Sequence, residues 1–489
     1  MTGALPEPHL APTRAPSLAG RAVLAAALFV GFYVFALAIA ALLLAVVWFC
    51  FAKLDRAPGM IVIPSALGAL GILWSLVPRY PRFQPPGPEL LDSEQPRLFE
   101  RLRSIARAAG QPMPSHVYVV PAVNAFVAEH AGPFGAGRMR FLGIGLPLLW
   151  TLSVDEFEAV LAHEFGHFHG GDTSLGPWLY KTRATITRTI ANLRDGRTRI
   201  LQGPFVAYGN FFLRMTHSVS RSQEYAADAL AARLVGGDAL ARGLVRIGKA
   251  SMAYDPFLQN EIGPVLASGV RPPIADGFRR FLAADAVSTS LDDAIEKRKR
   301  EEKQNPYDTH PTLRDRLAAL ARLPAGEAGD PDTPAITLLE HPERYEIELL
   351  HRLVPRLDVA RMELVEWPEM AERVLVPGWE RERAKAGETL RGKTIAELAD
   401  DLAPKIGVMM PPPQEQANRV HLRGAAIALA LRAHGWVVER ELGEATALSH
   451  GDQWIEPFRE LSDVSHGKTQ PEEWREHCRE AGIEGVELT

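Results

Sequence analysis

Cysteine is nearly missing from this chain. Cys50 and Cys478 are the only two in 489 residues, and Cys50 falls inside an apolar run, so no disulfide framework is available and a reducing compartment is allowed. A dominant charge sign is missing as well. The 54 Lys and Arg stand against 59 Asp and Glu, a net −5, which supplies neither a basic field for nucleic acid nor an acidic tail. No internal repeat is visible. The largest local gap is in charge itself, because no charged residue occurs from Ala22 to Ala52.

A helix over 22–52 would reach roughly 45 Å at ~1.5 Å per residue, beyond the ~30 Å hydrocarbon core, so it can span with tilt or project at one end. A second uncharged stretch, Met60 to Val77, is near the lower length limit for a span; its Pro64 and glycines are tolerated in bilayer helices. The first run is too long for a signal-peptide core and the loop from Lys53 to Gly59 is short, which together predict a retained helical hairpin with both tails on one side. Arg14, Arg21, Arg79, Arg82 and Arg97 near the tails outnumber Lys53 and Arg56 in the loop, so the tails are expected to be cytoplasmic.

A chain of this length implies two or three domains. The expected order is an N-terminal tail (1–21), the hairpin (22–80, with spans 22–52 and 60–77), a Pro-rich spacer "PRFQPPGP" at Pro81–Pro88, a soluble domain over 85–322, a linker at 323–334, and a C-terminal region of mixed helix and short strand at 335–489. Within the soluble domain, "HVYVV" (His116–Val120) and the stretch around Met139 to Ile144 read as strands, separated by a "HAGPFGAG" loop. Residues 174–235 read as helix, interrupted near Gly203–Pro204. "IEKRKREEK" (Ile295–Lys303) mixes signs and predicts a solvated helix face rather than a nucleic-acid patch. "GAAIALAL" (Gly424–Leu431) is too short to span and predicts a buried helix face. The C-terminal region carries no chemical motif.

Chemistry concentrates in "LAHEFGHFHGGD", Leu161 to Asp172. Ser153 and Glu156 make an S-x-x-E capping box just before the apolar Phe157, Val160 and Leu161, and Gly170–Gly171 closes the helix. His163 and His167 are four apart, so both imidazoles project from one face and can grip one Zn²⁺. Glu164 leans to the side, toward a metal-held water, as a general base. With 15 histidines in the chain, an HExxH pattern arises by accident in only about a few per cent of sequences this long.

A catalytic zinc takes three protein ligands. His169 is about 200° round the helix from His167 and faces away. The position ten after His163 is Thr173, which excludes the metzincin pattern, and Asp172 sits past the Gly-Gly break, where it orients the helix end or ligates. Downstream, "SRSQEYAADAL" (Ser220–Leu230) places Glu224 and Asp228 four apart on one helix face. One can ligate zinc while the other accepts the free N–H of a liganding histidine. We assign Glu224 to the metal and Asp228 to the histidine.

These features resemble the membrane zinc metallopeptidase family that contains the bacterial heat-shock protease HtpX and the type I CAAX prenyl proteases. The resemblance covers about residues 85–322 and rests on "VNAFV", "DEFEAVLAHEFGH" with Asp172 five beyond, "SRSQEYAAD", and "THPTLRDRLAAL" at Thr309–Leu320. It implies a gluzincin: a mainly α, α+β zincin-like domain with a small sheet, here anchored by the transmembrane hairpin and followed by a C-terminal α/β accessory region. It implies an edge strand around Arg140 to Gly143 that pairs with extended substrate. It also implies one Zn²⁺ per chain held by His163, His167 and Glu224, with Glu164 as base. His310 matches a family position near the site, either stabilising an oxyanion or capping the helix after Pro311. Residues 174–220 depart from the family, holding too many arginines to span.

The function implied is a membrane-anchored zinc endopeptidase, acting on membrane-associated or misfolded protein substrates in membrane-protein quality control. Its location would be a bacterial inner membrane, multi-pass, with the catalytic domain cytoplasmic, a lipid bilayer as partner and no nucleic acid. The alternative class is a catalytically silent membrane scaffold with a structural zinc and a partner-binding C-terminal region; a structural site has no use for the base at Glu164.

Overall fold

The structure is a computed structural model that describes residues 18–54, 57–77, 83–130, 139–168, 176–193, 198, 201–302, 310–323, 329–386, 390, 392–404 and 411–488. His169, Asp172, Thr173, the "HAGPFGAG" loop beyond His130 and much of the 323–334 linker lie outside these residues. The chain is mainly helical with small sheets, and it forms two compact units: residues 1–246 with 296–340, and residues 247–295 with 341–489.

The first unit opens with two apolar helices, α1 (Leu18–Lys53) and α2 (Gly59–Leu76), both long and apolar enough to cross a membrane. Along them large apolar side chains stay exposed, including Val34, Leu42, Trp48, Leu70 and Trp74, the outward surface that lipid would solvate. A four-stranded sheet follows: β1 (Glu89–Leu90), β2 (His116–Val120), β3 (Ala125–His130) and β4 (Met139–Gly145), with a helix α3 (Pro96–Ala108) between β1 and β2. The order across the sheet is β1-β2-β4-β3; β2 and β4 are parallel, while β3 and β4 are antiparallel with Phe126 opposite Gly143.

This order corrects one expectation. The segment 140–143 belongs to β4, which hydrogen-bonds to β2 on one side and β3 on the other, so it has no unpaired edge to offer a substrate. Among the described residues the edge strands are β1 and β3, and β3, which opens on the "AFV" after Asn124, is the edge that packs beside the motif helix.

After the short helix α4 (Leu146–Thr151) comes the motif helix α5 (Val154–Gly166). Its capping box forms in part as read: Glu156 Oε2 accepts the Ser153 N–H at 3.1 Å. Phe157, Leu161 and Phe165 are fully buried, a contribution of about 1.5–3 kcal/mol each. The helices α6 (Gly176–Asn192) and α7 (Gln202–Leu234) follow. The helical stretch breaks between Asn192 and Gln202, as expected near Gly203–Pro204, and those two residues sit in the first turn of α7, where proline's missing N–H has no partner to lose. Although no further helix among the described residues is long and apolar enough to cross a membrane, α6 and the first half of α7 pack on the apolar pair. Ile186, Leu193, Phe205 and Phe212 share one core with Phe32, Ala36, Ala69 and Ile72.

The second unit takes in 247–295, a stretch the sequence grouped with the metal motif. The reason is pairing with the later segment: Val270–Arg271 pairs in parallel with Glu363–Leu364, Trp367 Nε1 donates to the Pro273 carbonyl at 2.9 Å, and Arg440 Nη2 lies 2.6 Å from Glu261 Oε2. In the C-terminal segment, Gly424–Leu431 lies buried within the helix Pro413–Ala433, and three short antiparallel strands, Val437–Glu439, Ala447–His450 and Gln453–Ile455, form a sheet. The charged run after Ile295 is mostly exposed and pairs internally, as in Lys299–Glu296 at 2.7 Å.

Glu346 of this unit accepts the N–H groups of Ile274 and Ala275, both at 3.3 Å, at a helix N-terminus. Burial nevertheless pushes its carboxyl up to about 7, above the ~4.3 of an unfolded chain. Between those values the folded state holds the extra proton, so stability falls as pH rises through that window. Glu346→Gln should flatten the pH dependence of the thermal midpoint across roughly pH 4 to 8, a range that brackets about 4.3 to 7; an unchanged slope would remove Glu346 as its source.

Candidate metal centre

The site forms where α5 crosses α7. A Cβ on Gly166 would stand 2.9 Å from the Cα of Ala227, so glycine is what allows the two backbones to touch. Ala227 lies between Glu224 and Asp228, and the crossing therefore presents His163 and His167 of α5 to two carboxylates of α7.

The Nε2 atoms of His163 and His167 are 3.2 Å apart. Two ligands at ~2.0–2.1 Å on a tetrahedral ion are separated by about 3.3 Å, so this spacing fits a shared zinc. Glu224 is equidistant from them, with Oε2 3.7 Å from His163 Nε2 and Oε1 3.7 Å from His167 Nε2. Glu224 Oε2 is buried without a hydrogen-bond partner, an orphaned acceptor that a cation would satisfy. Asp228 Oδ1 lies 2.9 Å from His163 Nδ1; accepting that proton leaves Nε2 with its lone pair outward.

Glu164 is also close, its carboxylate and the two imidazoles lying within 4.8 Å of one another. Distance alone would make it a rival ligand. Adjacent helix residues diverge by about 100°, and Glu164 leans toward β3, where the Val127 N–H donates to it. Burial pushes its carboxyl up to about 7, with the Glu224 charge adding to the rise and His163 opposing it. Burial and the neighbouring His163 hold the His167 imidazole down at about 4, which keeps it neutral, the form that ligates. Burial alone would raise Glu224, but the His310 hydrogen bond and the imidazoles hold it below the usual carboxylate range.

Arg316 was not singled out by the sequence. It sits in the helix Leu313–Leu320 and grips Asp228 with both arms, Nη2 to Oδ1 at 2.6 Å and Nε to Oδ2 at 2.9 Å; its Nη1 is 3.7 Å from Glu224 Oε2. Burial would raise Asp228, and the bonds from His163 and Arg316 hold it low. Only the "HPTLRDR" spacing hinted at such a residue, and nothing local separates Arg316 from the exposed Arg314. His310 is corrected too. It does not cap that helix, because Thr312 Oγ1 accepts the Asp315 N–H at 3.1 Å; the His310 Nδ1 lies instead 2.9 Å from Glu224 Oε1.

Two imidazoles on one helical turn, a facing carboxylate and a separate acid beside them are the arrangement of a metallopeptidase. Comparison with known proteins agrees. Residues 92–323 match peptidase family M48. An HtpX protease homolog of Acidiphilium cryptum is 29% identical over 244 residues, covering 47% of this chain and 74% of that protein. The HtpX protease of Serratia proteamaculans is 29% identical over 239 residues, covering 43% and 77%. The crystal structure of S. mikatae Ste24p aligns at 18% identity and a TM-score of 0.27, over 63% of this chain and 66% of that one. Over residues 92–323, a little under half of the chain, the protein is similar to the M48 metallopeptidases and to their HtpX members, as the motifs implied.

The close crossing yields a direct prediction. Gly166→Val should push α5 off Ala227, cost about 1–3 kcal/mol and lower zinc content measured by elemental analysis. Full zinc retention would show that the crossing does not set the ligand geometry.

Proposed function

We propose that this chain is a zinc-dependent endopeptidase anchored in a membrane, with one zinc held by His163, His167 and Glu224 and with Glu164 as general base. The observation that carries this reading is the 3.2 Å Nε2 separation with Glu224 equidistant at 3.7 Å. When bound, zinc supplies Lewis acidity, polarising a carbonyl and making water acidic near neutral pH.

The chain's own groups do the rest. Asp228 fixes the His163 tautomer through Nδ1, and Arg316 fixes Asp228. The Glu164 carboxylate takes a proton from the attacking water and returns it to the departing amine nitrogen. The β3 edge, whose Val127 N–H already reaches Glu164, receives the substrate as an added strand. His310, beside Glu224, is available to the developing oxyanion.

The substrates are membrane-associated or misfolded proteins, in keeping with quality control at a bacterial inner membrane and a cytoplasmic catalytic face. The peptidase domain runs over 85–322, and 335–489 is an accessory region. Nucleic acid has no part in this function.

Glu164→Gln should keep its zinc and lose on the order of 10²–10⁴ in the rate of cleaving an unfolded test protein, measured with and without a chelator. Undiminished cleavage would reject Glu164 as base. Glu224→Gln should reduce zinc occupancy; unchanged metal by elemental analysis would move the third ligand elsewhere, with Asp172 the first alternative.

A further inference from the structure

Arg188, near the end of α6, carries a charge that the described protein leaves uncompensated. Its Nη2 donates to Thr185 Oγ1 at 2.9 Å, while its Nε is buried with no hydrogen-bond partner. Among the described residues no carboxylate lies within ion-pair distance of it. A buried donor without an acceptor is costly.

Its depth is fixed by contacts to α2. The Thr189 and Ser75 hydroxyls meet at 2.7 Å, and Asn192 Nδ2 donates to the Gly71 carbonyl at 3.4 Å. Ser75 lies in the last turn of α2, a helix of 18 residues and so about 27 Å long, close to the thickness of the hydrocarbon core. Arg188, next to Thr189, is therefore level with the point where α2 leaves the hydrocarbon. Trp74, exposed beside Ser75, is the residue type that settles at this boundary. At that level in a bilayer the abundant acceptors are lipid phosphates, and a planar guanidinium matches a phosphate in bidentate fashion.

We infer that Arg188, oriented by Thr185 and seated beside the Ser75 end of α2, binds the phosphodiester of one membrane phospholipid. The lipid then acts as the counter-ion that lets α6, arginines included, pack against the spans. This rests on α1 and α2 crossing a bilayer and not on the catalytic reading.

The test is native mass spectrometry of the full-length protein released from detergent and titrated with phosphatidylglycerol. Wild type should retain a first lipid that Arg188→Gln binds on the order of ten-fold more weakly or worse. Arg188→Lys, which keeps the charge without the fork, should fall between. Inorganic phosphate in large excess should leave the wild-type lipid in place. Equal retention by wild type and Arg188→Gln would overturn the proposal, as would displacement of the lipid by inorganic phosphate, which would mark a free-anion site. Zinc content and gel-filtration elution report folding of each variant, and should Arg188→Gln not fold, the Arg188→Lys comparison decides. Resistance of the chain to alkaline extraction from membranes tests the spans separately, so failure of that premise is distinguishable from failure of the lipid site.

Discussion

The contact between Gly166 and Ala227 is the constraint from which the site follows. Each helix alone carries a pair of groups four residues apart, which intrahelical geometry brings to one face whatever the rest of the chain does. Whether those faces meet at ligand distance depends on how closely α5 and α7 approach. With backbone against backbone at the crossing, imidazole nitrogens and carboxylate oxygens arrive within 3.7 Å. Side chains at the contact would hold the axes at the 8–10 Å common for helix pairs, and the four groups would stand apart.

Burial then raises the stakes. Glu224 and Asp228 are 3% and 2% exposed, and Glu164 stands beside them with its carboxyl pushed upward. Three carboxylates face one buried guanidinium, that of Arg316. Such a cluster is unfavourable in a low-dielectric interior unless more positive charge enters. A divalent cation between the imidazoles would meet that need, and His310 beside Glu224 contributes further when protonated. The same groups that make the centre chemically useful thus make it costly to leave without a metal.

α7 ties this centre to the apolar helices. Its first half lies on α1, with the Tyr208 hydroxyl donating to the Leu28 carbonyl at 2.8 Å and Phe205 and Phe212 in the core with Phe32. Its second half carries Glu224 and Asp228. One continuous rod, Gln202 to Leu234, therefore joins the two, and the position of the carboxylates is set partly by packing on α1 and α2. The arginine count of 174–220 spoke against further membrane crossing, but it could not indicate that these helices would still pack on the apolar pair.

What the sequence determined by itself is what short-range periodicity controls: the two apolar helices, the capped motif helix, the pairing of His163 with His167 and of Glu224 with Asp228, and the buried face at Gly424–Leu431. Each depends on residues within a few turns of one another. Tertiary structure decided the rest. It made β3 rather than 140–143 the sheet edge, because strand order depends on which strands find partners. It chose Arg316 over Arg314, turned His310 to Glu224 instead of a helix end, and drew 247–295 into the second unit through strand pairing and hydrogen bonds to 341–489. Those outcomes join segments tens to hundreds of residues apart, and their energies come from burial and pairing that no local pattern encodes.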